Sequence, residues 1–385
     1  MDIDAPLPLL GGLTPEQFMK RHWQKKPLLI RGAVRDLPIA VTRQDLLALA
    51  ARDDVESRLV QCHDARWTLR RGPFSQRALP ARSRPHWTLL LQGVDLHLQS
   101  VHAVLQAFRF VPDARLDDLM ISWASTGGGV GPHFDSYDVF LLQAQGRRRW
   151  RIGRQKSLVL RDDVPLKILR EFAPEQEFVL EPGDMLYLPP RYAHDGVAID
   201  ECQTWSIGFR AGAEQELGRE LLQRLADRAE DLLAPSLYRD PTQPATPTPA
   251  RLPAALQDFA LASVRKLTQD PQALACALGE YLSEPKPQVW FEPAKPASLP
   301  WARVALDRRT RMLWDERHLF VNGESFVVAG RDAGVLRQLA DARVIEATLL
   351  RRLSPQALQT LQQWCAAGWL HATSAKRPKM GFLKG

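Results

Sequence analysis

Four cysteines in 385 residues, none close to another, leave the chain with no CxxC zinc motif and no disulfide framework. Cys62, Cys202, Cys276 and Cys365 read as reduced, mostly buried thiols. No apolar run approaches the roughly 20 residues needed to cross a bilayer, so no membrane partner is expected. The opening "MDIDAPLPLLGG" sets acidic rather than basic residues before a short apolar stretch, which is unlike a secretory signal. Internal repeats are missing, and so is the alternation of strand with long helix that marks a Rossmann fold. A cytoplasmic protein is the expectation.

At 385 residues the chain is longer than one core usually grows, which predicts two or three domains. Its net charge of +7 makes nucleic acid, or something carrying it, a reasonable neighbour. The basic residues are spread out apart from "RRRWR" and "KRPKMGFLKG", and sequence-specific nucleic-acid binding is not expected.

Thr14 is placed to cap a helix, with Pro15 at its first position and Pro27 ending it. "PLLIRGA" follows as a short strand. To about residue 210 come short apolar runs split by turn signals, including "DDLMISWAS", "DVFLLQAQG" and "TWSIGFRAG". Such runs suggest a sandwich or small barrel, so 1–212 reads as one mainly β domain. Helical spacing takes over after Gly212, where Leu217, Leu221, Leu225, Leu232 and Leu233 form a stripe. A connector with six prolines spans 235–253, and two helices broken at Pro271 complete a helical region over 213–284. A proline-rich joint, 285–300, leads to a last segment, 301–385. There Asn322-Gly323 predicts a hairpin, and short helices give it a winged-helix-like character.

The stretch "GPHFDSYDVF" carries the chemistry. Read as a strand, it points His133 and Asp135 to one face, because side chains alternate. Some sixty residues later, "LEPGDMLYLPPRYAH" supplies a turn at Gly183-Asp184, an apolar strand and His194. A lone HxD is close to chance, and a single histidine is more often an ordinary surface or core residue. The conjunction is specific: two histidines and one carboxylate make the facial triad of non-haem Fe(II) oxygenases, with three positions left open. A 2-oxoglutarate can chelate through two of these and dioxygen can take the third. The glycines of "GGGVG" are read as a tight turn.

These spacings resemble the double-stranded β-helix of cupin and JmjC-type 2-oxoglutarate oxygenases. More narrowly, the chain resembles the bacterial ribosomal oxygenases that hydroxylate an arginine (at its 3-position) of large ribosomal subunit protein sixteen. The likeness runs through "HWQKKPLLIRGA", "DDLMIS", "GGGVGPHFDSYDVFLLQAQGRRRW", "LEPGDMLYLPP" and "YRDPT". It implies that His133, Asp135 and His194 bind Fe(II) and that Arg148 binds the far carboxylate of 2-oxoglutarate. It also implies a homodimer formed through the helical region, and a C-terminal winged-helix-like domain. One departure is the bulky Trp123 in "ISWASTGGG", which leaves the other cosubstrate contacts open.

Alternation from Phe140 to Ile152 puts Phe140, Leu142, Ala144, Gly146, Arg148, Trp150 and Ile152 on one face. Arg148 is then the only charge there, while Arg147, Arg149 and Arg151 share the other face with Gln143 and Gln145. A buried guanidinium needs an anion to meet it. Tyr137 is expected to border the pocket or to pack. Asp117, Asp118 and Asp138 are candidates to hold a substrate guanidinium. The leucine stripe of 217–233 is expected to pair with a second chain. Two other functions remain in view: a non-catalytic cupin-fold scaffold that binds nucleic acid or ribosomes, and a 2-oxoglutarate oxygenase with another substrate.

Overall fold

The computed structural model describes residues 2–34, 41–295 and 297–374. It divides into two compact units, Met1–Ala211 and Gly212–Gly385. The basic stretch "KRPKMGFLKG" lies outside the described residues.

The first unit starts with α1 (Pro15–Arg21). Its N-terminus is a capping box, in which Thr14 Oγ1 accepts from the Gln17 amide and the Gln17 side chain accepts from the Thr14 amide. Then come β1 (Leu28–Ile30), α2 (Arg43–Ala50), β2 (Ser57–His63), β3 (Arg66–Arg71), β4 (Trp87–Leu91), α3 (Gln99–Gln106) and β5 (Leu116–Ala124). The remaining strands are β6 (Val139–Gln145), β7 (Arg148–Gly153), β8 (Gln176–Leu180), β9 (Met185–Leu188), β10 (Ala193–Ala198) and β11 (Cys202–Phe209). Eight strands make one sheet, in the order β1-β9-β6-β11-β5-β4-β2-β3, and three make another, β10-β7-β8. All of these pairings are antiparallel. This is the expected double-stranded β-helix.

Two apolar layers follow from strand alternation. On the helix-covered face of the large sheet, Leu119, Ile121, Trp123, Phe140, Leu142, Trp205, Ile207 and Phe209 pack with Phe18 of α1 and Leu46 of α2. The opposite face joins the small sheet, where Val139, Leu141 and Leu188 meet Trp150, Ile152 and Leu180. Trp123 therefore belongs to the outer core, 2% exposed. Strand β6 is buried on both faces, so Gln143 is interior as well and bonds to Thr204 and to the Gln145 and Gly146 carbonyls.

The expected single strand from Phe140 to Ile152 is two strands in different sheets. Gly146 breaks it with a φ of 62°. A Cβ there would stand 2.1 Å from the Glu201 carbonyl oxygen, so only glycine fits the corner. Arg148 consequently faces the interior from β7, across the gap from β6.

The second unit opens with α4 (Glu214–Asp227), α5 (Ala229–Leu232), α6 (Ala254–Gln269) and α7 (Pro271–Ser283). Residues 235–253 carry no helix or strand. Asp270 caps α7 by accepting from the Gln272 and Ala273 amides, with Pro271 at the first position. Next come β12 (Trp301–Leu306), β13 (Met312–Trp314), β14 (His318–Val321), β15 (Glu324–Val327), α8 (Gly330–Ala342), β16 (Val344–Glu346), α9 (Ala347–Leu350), α10 (Pro355–Ala366) and β17 (Leu370–Ser374). The β14–β15 hairpin turns on Asn322 and Gly323, both at positive φ. Helix α7 packs on this sheet, where Gly279 lets the Phe320 ring lie against the backbone. The leucine stripe, expected to await a second chain, is engaged in part by its own: α4 packs on α7, and Leu225 is 2% exposed.

Candidate metal centre

His133 and Asp135 do not share a strand. They sit in the irregular segment before β6, and His133 forms an isolated bridge with His194 of β10. The two histidines exchange backbone bonds, His133 N to His194 O at 3.0 Å and His194 N to His133 O at 2.8 Å. Arg191 N donates to Asp135 O at 2.7 Å and pins the carboxylate's loop to the approach of β10. Main-chain pairing across two distant segments therefore converges the side chains, in place of alternation along one strand.

One ligand atom from each of His133, Asp135 and His194 can be chosen so that all lie within 4.8 Å of one another. His194 Nε2 is 3.6 Å from Asp135 Oδ2, and the two imidazole rings are 4.3 Å apart. Each histidine satisfies its Nδ1 with a backbone carbonyl, Gly131 O at 2.9 Å and Tyr192 O at 3.0 Å. That fixes the tautomer and turns both Nε2 lone pairs toward the common point. Burial, reinforced by His133 and opposed by Asp135, holds the His194 pKa down to about 4, so the ring is a neutral donor at physiological pH. Two imidazoles and one carboxylate suit a divalent iron, and three donors leave coordination positions free.

The glycine-rich approach does more than turn. Gly127 N donates to Ala198 O, and Ala198 N to Gly128 O, so the loop pairs with the end of β10. A Cβ on Gly128 would lie 2.4 Å from Trp87 O, and one on Gly129 would lie 2.6 Å from Gly196 O. Both positions require glycine for close backbone approach.

The register of β7 on β10 orders the interior face of the small sheet. His194 pairs with Ile152, Gly196 with Trp150, and Ala198 with Arg148. Histidine and arginine thus stand four residues apart along one face, about 13 Å of strand. Trp150 fills the middle, its ring 5.8 Å from that of His194 and 5.7 Å from Arg148 Cζ. Gly196 makes room for it, since a Cβ there would fall 2.6 Å from the indole.

Arg148 is 5% exposed, and its Nε and Nη2 have no hydrogen-bond partner. Nη1 reaches only Ser122 Oγ, at 3.4 Å. A buried guanidinium left this way costs several kcal/mol unless an anion completes it. A five-carbon diacid, bound at the metal by its keto-acid end, would bring a carboxylate to this place. The donor set and the orphaned cation both fit that ligand. Ser122 went unnoticed in the sequence, although alternation on β5 puts it with Asp118 and Met120, opposite the core-facing Ile121 and Trp123.

The aspartates separate. Asp138 is fully buried, accepting from Tyr187 Oη at 2.5 Å and Gln24 Nε2 at 3.1 Å. It ties the end of α1 to β9 and cannot hold a substrate. Asp118 is also buried, but it shares a face with Ser122 and accepts from the Gln92 amide at 2.9 and 3.0 Å. Asp117 stands 3.5 Å from Arg210. Tyr137 is 38% exposed, and its hydroxyl pKa is pushed up by burial and then by Asp135, Asp118 and Asp117. The tyrosine therefore sits among three carboxylates, one of them in the triad.

Residues 103–217 match a family model described as the JmjC domain, and 266–371 one described as the ROXA-like winged helix. The chain is 34% identical, over 74% of its length and 75% of the relative's, to ribosomal protein uL16 3-hydroxylase of Escherichia coli (strain K12). The chain belongs to the ribosomal oxygenase family. A probable ribosomal oxygenase of Haemophilus influenzae is 37% identical over 51% of this chain and 50% of its own. Among solved ribosomal oxygenases, an X-ray structure of Escherichia coli YcfD matches with a TM-score of 0.82 at 30% identity, covering 94% of this chain and 98% of that one. A YcfD structure in complex with cobalt and 2-oxoglutarate matches with a TM-score of 0.78 at 30% identity and the same coverage.

Proposed function

We propose that this chain is an Fe(II)- and 2-oxoglutarate-dependent oxygenase that hydroxylates an arginine side chain, at carbon 3, of a large-subunit ribosomal protein. The observation that carries the reading is a three-residue metal-ligand cluster and a buried arginine on the same side of the small sheet. The His133–Asp135–His194 cluster lies at one end, and at the other the Arg148 guanidinium, with Nε and Nη2 unbonded. Iron and 2-oxoglutarate, when bound, supply the power to activate dioxygen, with release of carbon dioxide and succinate. The protein supplies placement. His133, Asp135 and His194 hold the metal, and Arg148 with Ser122 anchors the far carboxylate.

Asp117 and Asp118, with the neutral hydroxyl of Tyr137 among them, would provide the acidic, hydrogen-bonding wall that a substrate guanidinium requires, beside the triad carboxylate. A scaffold without catalysis has no use for an intact triad together with an unpartnered buried cation. The helical segment would join two copies into a homodimer, and a ribosomal protein as substrate is consistent with a reaction in the cytoplasm.

The test is incubation of the Fe(II)-loaded chain with peptides of ribosomal protein uL16 that contain arginine. Mass spectrometry should find one added oxygen on arginine, matched by succinate and dependent on 2-oxoglutarate. Modification of some other residue type, or none across the panel while succinate is still released with another substrate, would overturn the assignment.

A further inference from the structure

Most of the net charge sits in one place. Of the formal +7 on the chain, residues 57–94 carry seven arginines, no lysine and a single acid, Asp64. These residues form β2, the edge strand β3, and the loop that leads into β4. Cross-strand pairing sets His63 beside Arg66 and Leu59 beside Arg70 on one face. Arg84 of the loop reaches the same face and donates from Nη2 to His63 Nε2 at 3.1 Å. Arginine has no acceptor, so the imidazole accepts, and three basic side chains stand in a row. Arg66, Arg70, Arg77 and Arg84 are all exposed. Among the described residues none of these four has a carboxylate within ion-pair distance, whereas Arg82 next to them is met by Glu201 at 2.6 Å. Arg82 and Arg84 also line an open cavity of about 510 Å³ with Ser125 and Thr126.

An edge strand needs some charge to prevent pairing with another sheet, and lysine serves that purpose best. Protection of the edge accounts for neither the exclusive use of arginine nor Arg77, Arg82 and Arg84, which lie off the strand. The guanidinium fork pairs bidentately with phosphate. Arg66 and Arg70 are about 13 Å apart along β3, a spread that suits a chain of phosphates better than one. A bare ribosomal protein, itself basic, would be repelled here. The RNA it binds would not be.

We propose that this arginine face docks the phosphate backbone of RNA, so that the protein meets its substrate on RNA. The docking surface stands on its own observations; only the clause about the substrate rests on the proposed function. The full-length chain should bind a fluorescently labelled RNA hairpin, followed by anisotropy across a salt series. Combining Arg66→Gln, Arg77→Gln and Arg84→Gln should weaken binding at least tenfold. The log–log salt slope should flatten by about 2, at roughly 0.7 to 0.9 for each phosphate no longer neutralised. Combining Arg331→Gln, Arg351→Gln and Arg352→Gln makes the same charge change on exposed arginines of the second unit and should leave most of the binding intact. Hydroxylation of a short free peptide should be unchanged in both triple variants.

Equal weakening in the two variants would reduce the effect to net charge and overturn the proposal. So would failure of the unmodified chain to bind, or displacement of the RNA by poly-glutamate at matched charge, which would indicate an acidic protein partner. Parallel loss of peptide turnover would move these arginines to the peptide site, with the same consequence.

Discussion

Arg148 is where one side chain decides most. Its guanidinium is buried with two nitrogens unpartnered, against Ser122 at one edge and the Trp150 ring at the other. Arg147 is exposed and held by Asp200 at 2.9 Å, and Arg149 points to solvent from the outer face of β7. Replacing Arg148 by methionine keeps the stem and removes the charge. The concentration of 2-oxoglutarate needed for half-maximal turnover should rise at least tenfold, about 1.4 kcal/mol or more. Arg147→Met and Arg149→Met should leave that parameter within twofold. Comparable effects from all three would mean that the buried cation is not the anchor. The inward direction of Arg148 was legible in the alternation of "RRRWRIG"; its lack of a carboxylate partner was not, because a sequence cannot show which carboxylates fail to arrive.

Elements were legible wherever a local signal marks them. The Thr14 capping box, the break at Pro271 and the Asn322-Gly323 turn are chemical instructions carried by adjacent residues. The division of β6 from β7 was missed. Alternation runs on through Gly146, and only the Glu201 carbonyl pressed against that glycine shows a corner. Asp307 gives an element-scale test. It follows β12, is 3% exposed, and accepts from Arg309 Nε at 2.7 Å and from His371 of β17 at 2.8 Å. Burial works against its charge, but the bonds from Arg309 and His371 prevail and hold its pKa at about 2, below the ordinary 3.8. A carboxylate depressed in the folded state stabilises fully above its unfolded pKa. That contribution, about 2 kcal/mol, is lost as pH falls from about 4 through about 2. Asp307→Asn should therefore lower the melting temperature at neutral pH and flatten the acid dependence between those limits. An unchanged acid limb in a thermal melt series would contradict this role.

Assembly belongs to the whole molecule. Helix α6 buries none of its residues, and Leu256, Leu261 and Val264 are 37%, 53% and 56% exposed. An apolar face of this kind on a helix is covered when two copies meet. We expect a dimer by light scattering at micromolar concentration, and a shift toward monomer when Leu261→Glu and Val264→Glu are combined. A monomeric mass for the unmodified chain would refute it. The leucines of α4 have the more regular spacing, yet α4 already packs on α7.

The sequence by itself determined what depends on residue type and short spacing: a mainly β first part, helices after Gly212, a hairpin at Asn322-Gly323, and the three residues able to hold iron. Tertiary structure decided everything that requires distant backbone to meet. It seated His133 and His194 as a bridged pair, ordered His194, Trp150 and Arg148 along one face, and sent Trp123 into the outer core. It also withdrew Asp138 into a bond with Tyr187 and left Asp117 and Asp118 near Tyr137. The physical reason is that capping, turn chemistry and alternation act within a few residues. Which polar groups end up paired is settled by packing between segments as far apart as Gln24, Asp138 and Tyr187.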